Sequence, residues 1–199
     1  IRSVKLYGDG ALGSRGAWLL EPYSDRDGHT GHETTPMDSI YLIASEALAN
    51  GFQACTHAIG DRANREVLDC YQRAFKENPR ATKDHRFRIE HAQHLNAEDI
   101  PRFAALGVIA SMQGIHMASD RPWAIDRLGI DRIEEGAYVW QKLLNSGAII
   151  VNGTDAPVEP VDPIACFYAS VTRKTLNKTP EGGYEAGQRM TRQQALRSY

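Results

Sequence analysis

The sequence predicts an α/β fold organised on a parallel sheet, a section of a (β/α)8 barrel. Three observations predict it. Strand-like and helix-like segments alternate about five times along the 199 residues, a pattern that argues for parallel strands joined by crossover helices. Polar residues with metal-ligand chemistry stand where the predicted strands hand over to loops. The spacing of those residues follows the length of a βα unit, roughly 31 residues when about 250 make eight units.

The elements read in order as follows. Ser3 to Tyr7 alternates and is stopped by Gly8-Asp9-Gly10, as a strand running into a loop should be. A Gly-rich polar stretch continues to Pro36. Met37 to Asn50 carries Ile40, Ile43, Ala44, Ala47 and Leu48 at helical spacing, closed by Gly51. Phe52 to His57 is a short strand. Arg62 to Glu77 is a helix with Ala63, Val67, Leu68, Tyr71, Ala74 and Phe75 on one face, and Phe87 to His91 is a strand. Asn96, with Asp99 in capping-box position, opens a helix that Gly107 ends. Val108 to Met112 is the next strand, Gly136 to Ser146 the next helix and Ala148 to Asn152 the last strand. Asp162-Pro163 has the chemistry of a helix start, with the helix running to about Arg173. Thr191 opens a final helix. Thr175 to Gly187 is expected to be a flexible loop, and His85 with the basic residues around it solvated surface. No linker divides the sequence, so residues 1–199 are expected to form a single domain.

Composition narrows the function classes. With 42% hydrophobic and 24% charged residues the sequence is ordinarily globular. A formal charge of −2 offers no field to attract nucleic acid or anionic lipid. No apolar run approaches the ~20 residues of a membrane span. Cys55, Cys70 and Cys166 form no C-x-x-C pair and sit in apolar-periodic segments, so buried reduced thiols and a cytoplasmic location are expected, unless a signal precedes residue 1.

Four polar residues fall at strand ends: Lys5, His57, His91 and Asp155. His57 to His91 is 34 residues, one βα unit, and His91 to Asp155 is 64, two units with the Val108–Met112 strand between. In a parallel α/β fold such C-terminal strand ends are where sites are built. Neutral imidazoles and a carboxylate are the usual ligands of a catalytic divalent ion such as Zn²⁺. The ion would make water nucleophilic near pH 7, and a carboxylate would move the proton. A lysine could join such a set only as a neutral amine or as the carbamate formed with CO₂. Asp9, Arg15, Gln93, Gln113 and His116 follow strand ends and are candidate contacts for a small-molecule substrate, while His94 is expected in the loop or behind the ligands. Gly8 to Gly13 spells G-x-G-x-x-G, but a dinucleotide fingerprint needs a helix to start there, and Gly16, Pro22, Gly28 and Gly31 oppose one.

The motifs VKLYGDGALGSRGA, THAIGDRAN, RIEHAQ, ASMQ and NGTDAPVEP resemble the amidohydrolase superfamily. The resemblance is to family 3, the branch that includes N-substituted formamide deformylases. It implies that Lys5 closes barrel strand four as a carboxylated, metal-bridging lysine. It further implies that His57 on strand five and His91 on strand six bind the second metal. Asp155 on strand eight would bind the first metal and shuttle the proton. The implied activity is hydrolysis of an amide or related C–N bond, usually with zinc, one or two ions. The superfamily's His-x-His pair of strand one is absent, and His29 and His32 do not form it. Strands one to three and the small β-sandwich domain are therefore expected to lie outside these residues. The resulting open sheet edges favour association into a homo-oligomer. The alternative is a non-catalytic, truncated or regulatory barrel acting as a binding scaffold.

Overall fold

A computed structural model describes all residues 1–199. Five strands form one all-parallel sheet: β1 (Ser3–Tyr7), β2 (Gln53–Ala58), β3 (Arg88–His91), β4 (Ile109–Met112) and β5 (Ile150–Asn152). Their spatial order is their chain order, β1-β2-β3-β4-β5. A doubly wound sheet reverses direction at a switch point; an unreversed order is that of a barrel wall. The chain thus builds a partial barrel. Register sets the rim, because Tyr7 pairs with His57, and Ala58 with His91.

Helices cover the outer face. On α2 (Asp61–Glu77), Ala63, Val67, Leu68, Tyr71 and Ala74 are fully buried at helical spacing, and α1 (Met37–Ala49) packs beside it. The next helix, α3 (Ile100–Leu106), ends at Gly107 in the left-handed conformation. Its start departs from the expected capping box. Asp99 gives its carboxylate to Arg65 Nε at 2.7 Å and Arg102 Nη1 at 2.9 Å, while Asn96 Oδ1 accepts from the Glu98 amide. Two guanidiniums are stronger partners than a backbone N–H.

The largest departure follows β4. The expected helix over Gly136–Ser146 is the short α5 (Trp140–Asn145), and before it stands a long unforeseen α4 (Gly114–Gly136). It carries Pro122 within, and Gly129 at φ 74° and ψ 164° breaks its course, which is why its periodicity is poor in the sequence. After β5, α6 (Pro163–Thr172) is capped as expected, with the Asp162 side chain accepting from the Ile164 amide at 2.9 Å. Last comes α7 (Arg192–Arg197), opened by a Thr191–Gln194 capping box.

Three further expectations are corrected. His85 is buried, stacked on Phe75 at 4.1 Å and edge-on to Phe87, with Nε2 bonded to the Leu106 carbonyl and Nδ1 accepting from the Phe87 amide. The Thr175–Gly187 segment is tied down. Fully buried Arg173 bonds the Tyr184 carbonyl and Glu185, and Glu185 also takes Arg121. The β5 edge is partly closed, since the Asn152 amide donates to the Ser198 carbonyl at 2.7 Å. All three cysteines are buried free thiols. No helix is long and apolar enough to cross a membrane.

Candidate metal centre

The strand ends open into one cleft of about 470 Å³, within the size range of small-molecule sites. Lys5, His57, His91, His116 and Asp155 all line it. The loop after β1 is held in place by Asp9. Its buried carboxylate accepts the amides of Trp18 (2.8 Å), Ile59 (2.9 Å) and Gly60 (2.8 Å), stitching the first two strand-end loops together. Gly60 allows this close approach, because a Cβ there would stand 2.0 Å from the Trp18 carbonyl oxygen. Burial raises the Asp9 pKa to about 7 against the pull of those amides.

Three imidazoles stand in a row. The His57 and His91 ring centroids are 4.5 Å apart, and those of His91 and His116 5.7 Å. Burial first, then neighbouring His91 and Lys5, pushes the His57 pKa down to about 3. Burial likewise lowers His91, and takes His116 down to about 4. All three rings are therefore neutral near pH 7 and keep a lone pair for a cation. His91 Nδ1 is bonded to Gln113 Oε1 at 2.8 Å, and Gln113 Nε2 in turn donates to the Ser111 carbonyl. Gln113 thus presents its oxygen to the ring, Nδ1 carries the hydrogen, and the lone pair is left on Nε2.

Donor atoms of His91, His116 and Asp155 all lie within 4.8 Å of one another, with His116 Nε2 3.8 Å from Asp155 Oδ2. His116 Nε2 and His57 Nε2 are buried without a hydrogen-bond partner, the latter 3.4 Å from Asp9 Oδ1. Buried polar atoms are nearly always paired. The clustered donor atoms of His91, His116 and Asp155, with the His116 nitrogen orphaned, therefore fit a divalent cation that favours nitrogen and oxygen donors, whereas His57 Nε2 is turned toward Asp9. Lys5 is exposed as a residue, but its ammonium faces the cleft, where loss of water lowers its pKa against the opposing pull of Glu90 and Asp155.

The candidate substrate contacts divide. Gln93 and His116 line the cleft. Gln113 is turned onto His91, and Asp9 onto backbone amides. Arg15 pairs with Asp25 through two bonds, at 3.0 and 2.8 Å, and does not line the cleft. His94 is buried beside Tyr138. Residues missed in the sequence are Asp120 and Trp123 on α4, and Glu159 after β5, all on the cleft wall. The spacing of 116, 120 and 123 was the available signal, being one helical face.

The family model for the amidohydrolase family matches residues 1–199. The chain belongs to the amidohydrolase family. It is 34% identical over 197 residues to YtcJ of Bacillus subtilis strain 168, covering 99% of this chain and 36% of YtcJ. Two solved structures, described as uncharacterized metal-dependent hydrolases, superpose on the whole chain at 32% identity. They come from Pyrococcus furiosus and Pyrococcus horikoshii OT3, with TM-scores of 0.83 and 0.85, and this chain covers 38% of each. The chain therefore spans little more than a third of these relatives' length.

Proposed function

We propose that this chain supplies strands four to eight of a (β/α)8 barrel whose complete site hydrolyses an amide-like C–N bond of a small molecule. Lys5 as its carbamate, His57, His91 and Asp155 are the proposed ligands of one or two divalent ions, with zinc the ion that suits this donor set. The observation that carries the reading is the cluster of His91, His116 and Asp155, whose donor atoms lie within 4.8 Å of one another in a cleft that Lys5 and His57 also line. When bound, the cation supplies Lewis acidity toward the carbonyl and makes water nucleophilic at neutral pH.

The chain's own residues do the rest. Asp155 stands at the cleft mouth with its carboxylate within reach of His116, where it takes the proton from the attacking water and returns it to the leaving nitrogen. Gln113 fixes the His91 tautomer, and Asp9 fixes the loop that walls His57. His116 orients the substrate carbonyl from the α4 side. The test uses the full-length protein. It should hold one or two divalent ions, and His57→Ala or Asp155→Asn should abolish hydrolysis of amide substrates. Unchanged turnover in either variant overturns the assignment.

A further inference from the structure

The face of α4 that borders the cleft carries His116, Asp120 and Trp123 at positions i, i+4 and i+7. A helical rise of 1.5 Å per residue places Asp120 about 6 Å, and Trp123 about 10 Å, along the helix from His116. The face therefore runs from the reacting end of the cleft outward. Its middle residue is a fixed carboxylate. Asp120 Oδ2 accepts from Gln93 Nε2 at 3.1 Å and from the Tyr138 hydroxyl at 2.9 Å, and Gln93 and Tyr138 bond each other at 2.8 Å. Those two groups hold Oδ2 and leave Oδ1 unengaged. The charged side chain acting on Asp120 is acidic Glu159, itself held by the Ser119 hydroxyl at 2.6 Å.

A carboxylate that is partly buried, positioned by two donors and without a basic partner lacks a counter-charge. The second observation is His116 at one end of the same face, 8% exposed, with Nε2 unpartnered toward the cleft. At the other end Trp123 gives an apolar wall. Its ring lies against Gly13, where a Cβ would stand 3.2 Å from the indole. Arg127 lies 5.8 Å from the Trp123 ring, but its charge goes to Asp25.

We propose that Asp120 is the specificity residue of the cleft and receives an ammonium group of the substrate. The substrate class is then an amide whose acyl or amine portion carries a basic nitrogen a short chain away from the scissile carbonyl, Asp120 standing about one helical turn from His116. The proposal rests on the hydrolytic reading of the cleft for its account of the reacting end, and on the surroundings of Asp120 for its account of the ammonium.

The test is calorimetric titration of the full-length, metal-loaded protein with two hydroxamic acids of equal length. One is 5-aminopentanoyl hydroxamic acid, and the other is hexanoyl hydroxamic acid, with methyl in place of ammonium. The ammonium compound should bind about tenfold tighter, with the preference shrinking as salt rises. Asp120→Asn keeps an oxygen for Gln93 and Tyr138, and should reduce the preference to about one. A parallel titration compares n-pentylammonium with n-pentanol on protein without added metal, where the same preference and the same loss are expected. Equal affinities within each pair, or a preference that survives Asp120→Asn, overturn the ammonium site and leave the hydrolase reading standing. If neither hydroxamate binds while pentylammonium binds through Asp120, the hydrolase reading falls and the ammonium site stands. The wild-type comparison needs no variant, so a poorly folding Asp120→Asn does not remove the test.

Discussion

Gln113→Leu should weaken metal binding without removing any proposed ligand. In the wild type, Gln113 Oε1 lies 2.8 Å from His91 Nδ1, and both residues are buried. The bond fixes which nitrogen carries the hydrogen, and opposes the burial that lowers the ring's basicity. Leucine keeps the bulk but removes the acceptor. The ring then loses its tautomeric preference and some donor strength, a loss of roughly 10–100-fold in metal affinity, or about 1.4–2.7 kcal/mol. The orphaned Nδ1–H also costs about 1–3 kcal/mol of fold stability, so thermal melts must accompany the affinity measurement. Gln113→Glu supplies a stronger acceptor at the same place and should bind metal at least as tightly as wild type. The assay is competition for zinc against a chromogenic chelator near neutral pH, on the full-length protein. A folded Gln113→Leu variant within twofold of wild type would refute the claim that His91 binds through Nε2 with Gln113 behind it.

Three further outcomes follow from separate parts of the fold. Lys5→Met should lower the metal content of the full-length protein by one ion and abolish any dependence of loading on bicarbonate; unchanged stoichiometry by elemental analysis would exclude a bridging carbamate. Glu185→Ala strands fully buried Arg173 and mostly buried Arg121 without their shared carboxylate. It should cost about 3–5 kcal/mol, read as a lower urea midpoint, and an unmoved midpoint would contradict it. Burial sets the His85 pKa below the ordinary 6.5, so the unfolded state takes the proton first. The stability that neutral His85 contributes is complete above about pH 6.5 and is lost as pH falls toward the folded-state value. Thermal melts against pH should show that loss reduced in His85→Phe, and an identical acid limb would count against it.

The strands and most helices were legible because their physics is local. Val67, Leu68, Tyr71 and Ala74 recur at helical spacing because α2 buries one face, and that period is written in the residues themselves. The rim positions of His57 and His91 were legible too, because βα units have a typical length and parallel register carries their ends to one side. Lys5, expected at a strand end, instead lies within β1 level with Cys55, and Tyr7 is the residue level with His57. Long-range competition was not legible. Asp99 looks like part of a capping box until Arg65, 34 residues earlier, takes its carboxylate. His85 looks like surface among charged neighbours, until Phe75 of α2 stacks on it, with Phe87 of its own segment edge-on. The same reason hid α4, whose Pro122 and Gly129 oppose a helix locally while Ile115, Met117, Ala124, Leu128 and Ile133 bury it against the core. With α4 unseen, Asp120 and Trp123 had no place at the cleft.

Local rules are also broken at the proposed ligands themselves. His91 at φ 78° and Asp155 at φ 57° adopt the left-handed backbone region, as does Ala92 after His91 at φ 43°. For a residue with a Cβ this costs about 1–2 kcal/mol. Elsewhere in the chain such residues do ordinary work, as Arg173 does in ending α6. At His91 the turn comes on the last residue of β3, level with Ala58 of β2, and it coincides with the ring standing edge-on to His57 and bonded to Gln113. At Asp155 the turn is closed by the Val158 amide on the Asp155 carbonyl, and the carboxylate faces His116. Strain persists where the surroundings over-determine it, as the Gln113 bond does at His91, while the Asp155 side chain has no hydrogen bond to hold it. Asp155→Gly should therefore relieve strain and raise the melting temperature of the metal-free protein while removing the proposed base, the trade between stability and activity that marks a residue kept for chemistry.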